Sequence, residues 1–174
     1  MLKMHAPINI AILTVFLFSC GPLYITTYKN SEKPVQKYEY VEIPDFRKTE
    51  GEWVPYDSNV NIPDLIAKKL IEQGIFKIVD RSGKALDADS NVLLVKGVVT
   101  RFDRGCKFCE WIFFGIDDSG LGSMSVWVQL IDKKSGTLIT DFSIRARAKK
   151  PGYGNSRYTR VVDKTVEIIN QKNN

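Results

Sequence analysis

The sequence predicts a single α/β domain of the α+β type, a mostly antiparallel sheet with two helices packed on one face. Three observations predict it. Apolar residues recur at helical spacing in two segments, 61–73 and 155–169, towards opposite ends of the chain. Between them lie three β-rich stretches, 91–102, 123–132 and 138–148, the last two alternating between an inward and an outward set. A short glycine-bearing turn joins that last pair, as a hairpin requires. With 174 residues, 44% hydrophobic and 26% charged, the chain has the balance of an ordinary folded domain, which argues against collagen-like, disordered and multi-spanning membrane chains.

Residues 1–19 stand apart from that domain. Lys3 is their one charged residue, and an apolar run over 6–18 follows, broken only by Pro7, Asn9 and Thr14. The run is too short for a hydrocarbon core of about 30 Å, which takes about 20 helical residues. A short basic region followed by such a run is the build of a secretory signal peptide rather than an uncleaved anchor. The run closes on Leu17-Phe18-Ser19-Cys20, which resembles the lipobox of bacterial lipoproteins, with Phe18 bulkier than the residue usual there. The resemblance implies cleavage before Cys20 and lipidation of Cys20 itself. Gly21, where an aspartate would signal retention, implies the outer membrane, facing the periplasm or the cell surface. Each buried methylene contributes about 0.8 kcal/mol, so several acyl chains would make attachment effectively permanent. His5, the single histidine, lies in the removed segment. A mature chain without imidazole excludes Ser-His-Asp and Cys-His catalysis and histidine-ligated zinc or iron.

Residues 20–40 read as the lipidated N-terminus and a tether. Lys29-Asn30-Ser31-Glu32-Lys33-Pro34 is polar and ends in proline, as a solvated spacer does. Tyr24, Tyr28, Tyr38 and Tyr40 leave a second reading open, packing against the membrane surface or the domain. The domain then covers 41–174. Val41-Glu42-Ile43-Pro44-Asp45-Phe46 is a short strand with proline near its end. Asn61 is placed to cap a helix with Pro63 and Asp64 in its first turn. Its apolar face carries Ile62, Leu65, Ile66 and Leu70, and Gly74 supplies a left-handed stop. The strand Ile75-Phe76-Lys77-Ile78-Val79 follows at once. Apolar residues on both faces of the first half of 91–102 predict that this half is central and covered on both sides. In the hairpin, a loop of Lys134-Ser135-Gly136 with Lys133 opposite Thr137 sets Leu130 against Thr140, Val128 against Phe142 and Val126 against Ile144. A slip of one residue would turn that apolar set outward. The last helix, capped by Asn155 or Ser156, buries Val161, Val162, Thr165, Ile168 and Ile169.

This order and its local sequence resemble an uncharacterised family of bacterial lipoproteins, a domain of unknown function. The resemblance runs from Val41-Glu42-Ile43-Pro44-Asp45-Phe46 through Leu70-Ile71-Glu72-Gln73-Gly74-Ile75-Phe76 and Val95-Lys96-Gly97-Val98-Val99-Thr100-Arg101-Phe102-Asp103-Arg104-Gly105 to Val128-Gln129-Leu130-Ile131-Asp132-Lys133-Lys134-Ser135-Gly136. More distantly it is similar to the amino-terminal domain of TolB and to the lipoproteins that form secretion rings for curli and exopolysaccharide. These relatives imply a non-enzymatic scaffold or oligomerising component of an envelope assembly, with protein partners or self-association and a membrane contact through the lipid.

Four features could carry chemistry. Cys106-Lys107-Phe108-Cys109 reads as a redox pair, half a zinc site, a structural disulfide or two idle thiols. Zinc lacks the further ligands, and no capped helix follows to stabilise a thiolate, so Cys106 and Cys109 are expected to be structural. Trp111-Ile112-Phe113-Phe114-Gly115-Ile116 is either a buried strand or an exposed apolar loop meeting a membrane or partner. The carboxylate pairs Asp87 with Asp89 and Asp117 with Asp118 lie in polar turns and read as solvated. Arg145 and Arg147, with Lys149 and Lys150, line the exit of the last strand. With Trp127 they form either a solvated face or a contact surface for lipid phosphates or an anionic polymer. No nucleic-acid surface, cofactor motif or catalytic set is read. The alternative to a scaffold is an envelope thiol–disulfide protein or a carboxylate-dependent hydrolase.

Overall fold

The computed structural model describes residues 23–30, 37–55, 57–83, 91–106, 121–148 and 155–173. They form β1 (Leu23–Asn30), β2 (Tyr40–Glu42), β3 (Arg47–Lys48), α1 (Ser58–Gln73), β4 (Ile78–Asp80), β5 (Val92–Gly105), β6 (Leu121–Asp132), β7 (Leu138–Arg147) and α2 (Asn155–Asn173). One seven-stranded sheet runs β1-β7-β6-β5-β2-β4, and β3 pairs with β5 beside β2. The α+β class and the two helices are as expected.

The hairpin register follows from which residues must be buried. Leu130 lies against Thr140, Val128 against Phe142 and Val126 against Ile144. The turn is one residue wider than expected: the Asp132 N–H donates to the Thr137 carbonyl at 2.9 Å, and Gly136 takes the left-handed φ of 68°. An irregularity between Leu130 and Ile131 absorbs the extra residue and restores the register.

Four expectations are corrected. The sheet is mixed, since β2 runs parallel to both β4 and β5, and β3 parallel to β5. The helix α1 between β2 and β4 is a crossover, which returns the chain in the same direction rather than reversing it as a tight hairpin would. Second, the stretch 20–40 is not simply a tether. Leu23–Asn30 pairs antiparallel with β7 from Leu23 against Ala146 onward. Tyr38 is buried, its N–H donating to Asn173 Oδ1 at 2.6 Å.

Third, α1 begins a turn early, with Asp57 as its N-cap, so Pro63 lies inside the helix. Proline has no N–H to offer the carbonyl of Asn59, one turn back. That carbonyl instead accepts the Phe46 N–H at 2.9 Å, so the gap in the helix anchors the strand-to-helix loop. Asn61, the expected cap, donates through Nδ2 to Asp57 Oδ2. Leu65 is exposed, while Ile62, Pro63, Ile66, Ala67 and Leu70 form the buried stripe. Gly74 ends the helix at φ 64° as expected.

Fourth, β5 is central, but among the described residues only its start is buried on both faces, at Val92 and Leu93. Beyond them Val95, Gly97 and Val99 are buried on the core side, whereas Leu94 and Val98 are half-buried and Lys96 is exposed on the other. Both helices contribute to a single core over the buried face. Ile62, Ile66 and Leu70 of α1 meet Val161, Val162, Val166 and Ile169 of α2 above Met124, Val126, Val128, Phe142 and Ile144. The helices are tied to each other by Lys69 with Asp163 and by Asn170 Nδ2 donating to Gln73 Oε1 at 3.0 Å. The opposite face of the central strands carries no helix among the described residues.

Candidate contact face

The pleat sends alternate residues of each strand to that open face, and the ladders line them up in rows. One row crosses Arg47, Val98, Trp127, Ser143 and Thr26 on β3, β5, β6, β7 and β1. The row on one side holds Lys96, Gln129 and Asp141, and the row on the other holds Arg101, Ser125, Arg145 and Tyr24. Beyond the second lie Asp103, Ser123 and Arg147. Arg147 rests over the Tyr24 ring, 6.0 Å from its centroid.

Arg47, Lys96, Arg101 and Arg145 have no ion-pair partner among the described residues. Two polar atoms of this face, Arg145 Nε and Asp141 Oδ1, are buried without a hydrogen-bond partner. Such groups ordinarily find one. A small recess of about 90 Å³ lies between Arg47, Lys96, Gly97, Val98, Trp127 and Gln129. Aromatic ring, amide, hydroxyls and unpaired cations together can hold an anion that also offers an apolar side and hydroxyl groups.

One end of the sheet is braced separately. Arg157, in the first turns of α2, is almost fully buried. Its Nη1 donates to the Asp103 carbonyl, and its guanidinium lies 4.5 Å over the Phe102 ring. Trp53 meets Phe102 edge-on at 5.5 Å, and Arg104 stacks 3.6 Å over Trp53. Burial lowers the pKa of Arg157. Arg160 Nη1 donates to the Arg147 carbonyl at 2.8 Å, so the same helix turns hold the ends of both β5 and β7. Just past β5, Cys106 is disulfide-bonded.

A cleft of about 440 Å³ lies between the starts of the helices, lined by Asp57, Asn61, Asp64, Leu65, Tyr158 and Thr159. Asp64 is ion-paired with Arg81 at 2.8 Å. The Tyr158 hydroxyl pKa is raised, by burial first and by Asp57 second. Among the described residues no three His, Cys, Asp or Glu side chains converge on a metal site.

Of the residues singled out in the sequence, Trp127, Arg145 and Arg147 share the open face. Cys20, Cys109, Trp111, Ile112, Phe113 and Phe114 lie outside the described residues, as do Asp87, Asp89, Asp117 and Asp118. Sequence reasoning missed Arg47, Lys96, Arg101 and Gln129, whose outward parity becomes readable only with the strand pairings. It also missed Arg157, a cation on an otherwise apolar helix flank.

The class so defined is an α+β fold with one sheet face covered by helices and the other carrying no helix among the described residues. No protein-family model matches the chain, and no curated protein matches it. Solved structures do. The PelC dodecamer from Paraburkholderia phytofirmans matches with a TM-score of 0.57 at 14% identity, over 87% of this chain and 98% of that one. A point variant of the same dodecamer gives 0.56 at 13% identity, over 83% and 96%. A DUF330 protein from Xanthomonas campestris gives 0.48 at 14%, over 82% and 90%. The chain therefore has the fold of the PelC subunit.

Proposed function

We propose that this chain is a lipid-anchored lipoprotein of the outer membrane that works without catalysis, as a self-associating scaffold in an envelope assembly. The observation that carries the reading is the PelC match, which spans 98% of a subunit solved as a dodecamer. The register adds a geometric reason. Leu23 lies beside Ala146, Ala146 beside Met124, and Leu121 beside Gly105, so one end of the sheet holds them all. Cys20, three residues before Leu23, is within about 10 Å of that end along an extended chain. The connection containing Trp111, Ile112, Phe113 and Phe114 leaves from the same end, where it can meet the membrane or a neighbouring subunit. If Cys20 carries the lipid thioether, Cys109 is the one cysteine left to pair with the disulfide-bonded Cys106.

The test is the native mass of the chain from Gly21 onward, which retains β1, by light scattering over a concentration series with and without mild detergent. A discrete, ring-sized oligomer is expected. A monomer in both conditions would overturn the assembly reading.

A further inference from the structure

We propose that the open sheet face binds an acidic polysaccharide, a polymer of pyranose rings bearing carboxylates. The inference does not depend on self-association. Arg47 on β3, Lys96 and Arg101 on β5, and Arg145 on β7 spread positive charge across both sides of β6, and none has an acidic partner among the described residues. Neighbouring strands lie about 4.8 Å apart, so Arg101 on β5 and Arg145 on β7 stand about 10 Å apart across one row. That spacing suits a polymer with repeated charges better than one small anion. Between the cations, the half-buried Trp127 offers a ring for the apolar side of a sugar. Gln129, Ser125, Ser143 and Thr26 surround it with groups that pair with hydroxyls.

Two other occupants fit less well. A membrane surface takes up protruding apolar side chains, whereas Val98 and Trp127 line a recess beside exposed Arg47 and Lys96. The helical side of a second copy offers little free negative charge. Asp64, Glu72, Asp163 and Glu167 are already paired with Arg81, Lys68, Lys69 and Lys164 of their own chain.

The test uses the full-length mature protein in detergent, with sodium polygalacturonate as the acidic polymer, dextran as the neutral one and phosphatidylglycerol vesicles as the membrane. Affinity is read by calorimetry and Trp fluorescence. The pair Lys96→Gln with Arg145→Gln is expected to weaken polygalacturonate binding about tenfold, since exposed charge pairs contribute a few-fold each. Lys68→Gln with Lys77→Gln removes the same charge elsewhere and is expected to cost less than twofold. Arg145→Lys, which keeps the charge, should recover most of the binding, and raised salt should abolish it. Trp127→Leu is expected to weaken binding without changing its salt dependence. Equal losses from the two lysine-containing pairs would reduce the effect to net charge and overturn the proposal. So would equal binding to dextran, no polymer binding, or a face whose charges govern vesicle binding alone. Urea midpoints of the variants guard against loss of fold.

Discussion

A methyl group added at Gly97 tests the packing between the sheet and the strand-to-helix loop. An ideal Cβ there would lie 2.4 Å from Phe46 Cδ2 and Cε2 and 2.6 Å from Cγ. Carbon contacts settle at about 3.5–4.0 Å, so the ring must retreat by roughly 1.1–1.6 Å. It has little room, because Phe46 is 2% exposed and its N–H is held by the Asn59 carbonyl left free by Pro63. Gly97 is not among the positive-φ glycines, so its backbone accepts alanine, and losing a glycine from a strand would by itself stabilise by about 0.5–1 kcal/mol. Overpacking a tight core costs about 1–3 kcal/mol, and the clash decides the sign. Gly97→Ala is therefore expected to lose about 0.5–2 kcal/mol, a fall in Tm of roughly 1–8 °C for a chain of this size. Thermal and urea unfolding by circular dichroism measure it. In a Phe46→Ala background the added methyl has space, and the same change should become neutral or stabilising. An unchanged or raised Tm in the native background would refute the reasoning, as would an equal loss in both backgrounds.

Arg157→Met keeps the stem length but removes the donor to the Asp103 carbonyl and the cation over Phe102. A loss of about 1–2 kcal/mol is expected by urea unfolding, the bond outweighing relief of the buried charge. A midpoint at the native value would show that the two cancel. Asp132 gives a pH signature. Burial pushes its carboxyl up, but the Ser135 backbone N–H and the Tyr38 hydroxyl outweigh that and hold the pKa below its usual value. A lowered folded pKa contributes stability at pH above about 4, which is lost as pH falls through the folded value. Asp132→Asn should therefore flatten part of the acid limb when urea midpoints are followed downward from neutrality; identical acid limbs would rule this out.

The legible parts of the fold were those fixed by local alternation. Met124, Val126, Val128 and Leu130, with Phe142, Ile144 and Ala146, had to share a face, and that set the hairpin. Strand direction around β2 was not legible, because a three-residue strand carries no sign of which neighbour it will choose. The start of α1 was misplaced because Pro63 reads as a first-turn proline, and only the tertiary donor from Phe46 explains its interior position. In β1, Leu23-Tyr24-Ile25-Thr26-Thr27-Tyr28 is rich in β-branched and aromatic residues, a strand signal obscured by the polar sequence that follows. Of the contact face, Trp127, Arg145 and Arg147 were readable by parity within one hairpin. The cations of β3 and β5 join them only through pairings between distant parts of the chain.

The place of β1 has a kinetic consequence. The ladders β5–β6 and β6–β7 close over short separations, whereas Leu23 must find Ala146 roughly 120 residues later, at a greater entropic cost of closure. The first strand made is thus the last to zip, and as an edge with one neighbour it is the first to peel. Until Leu138–Arg147 has been made and folded, Leu23–Asn30 has no ladder partner among the described strands and stays open to whatever acts on an unpaired stretch of chain.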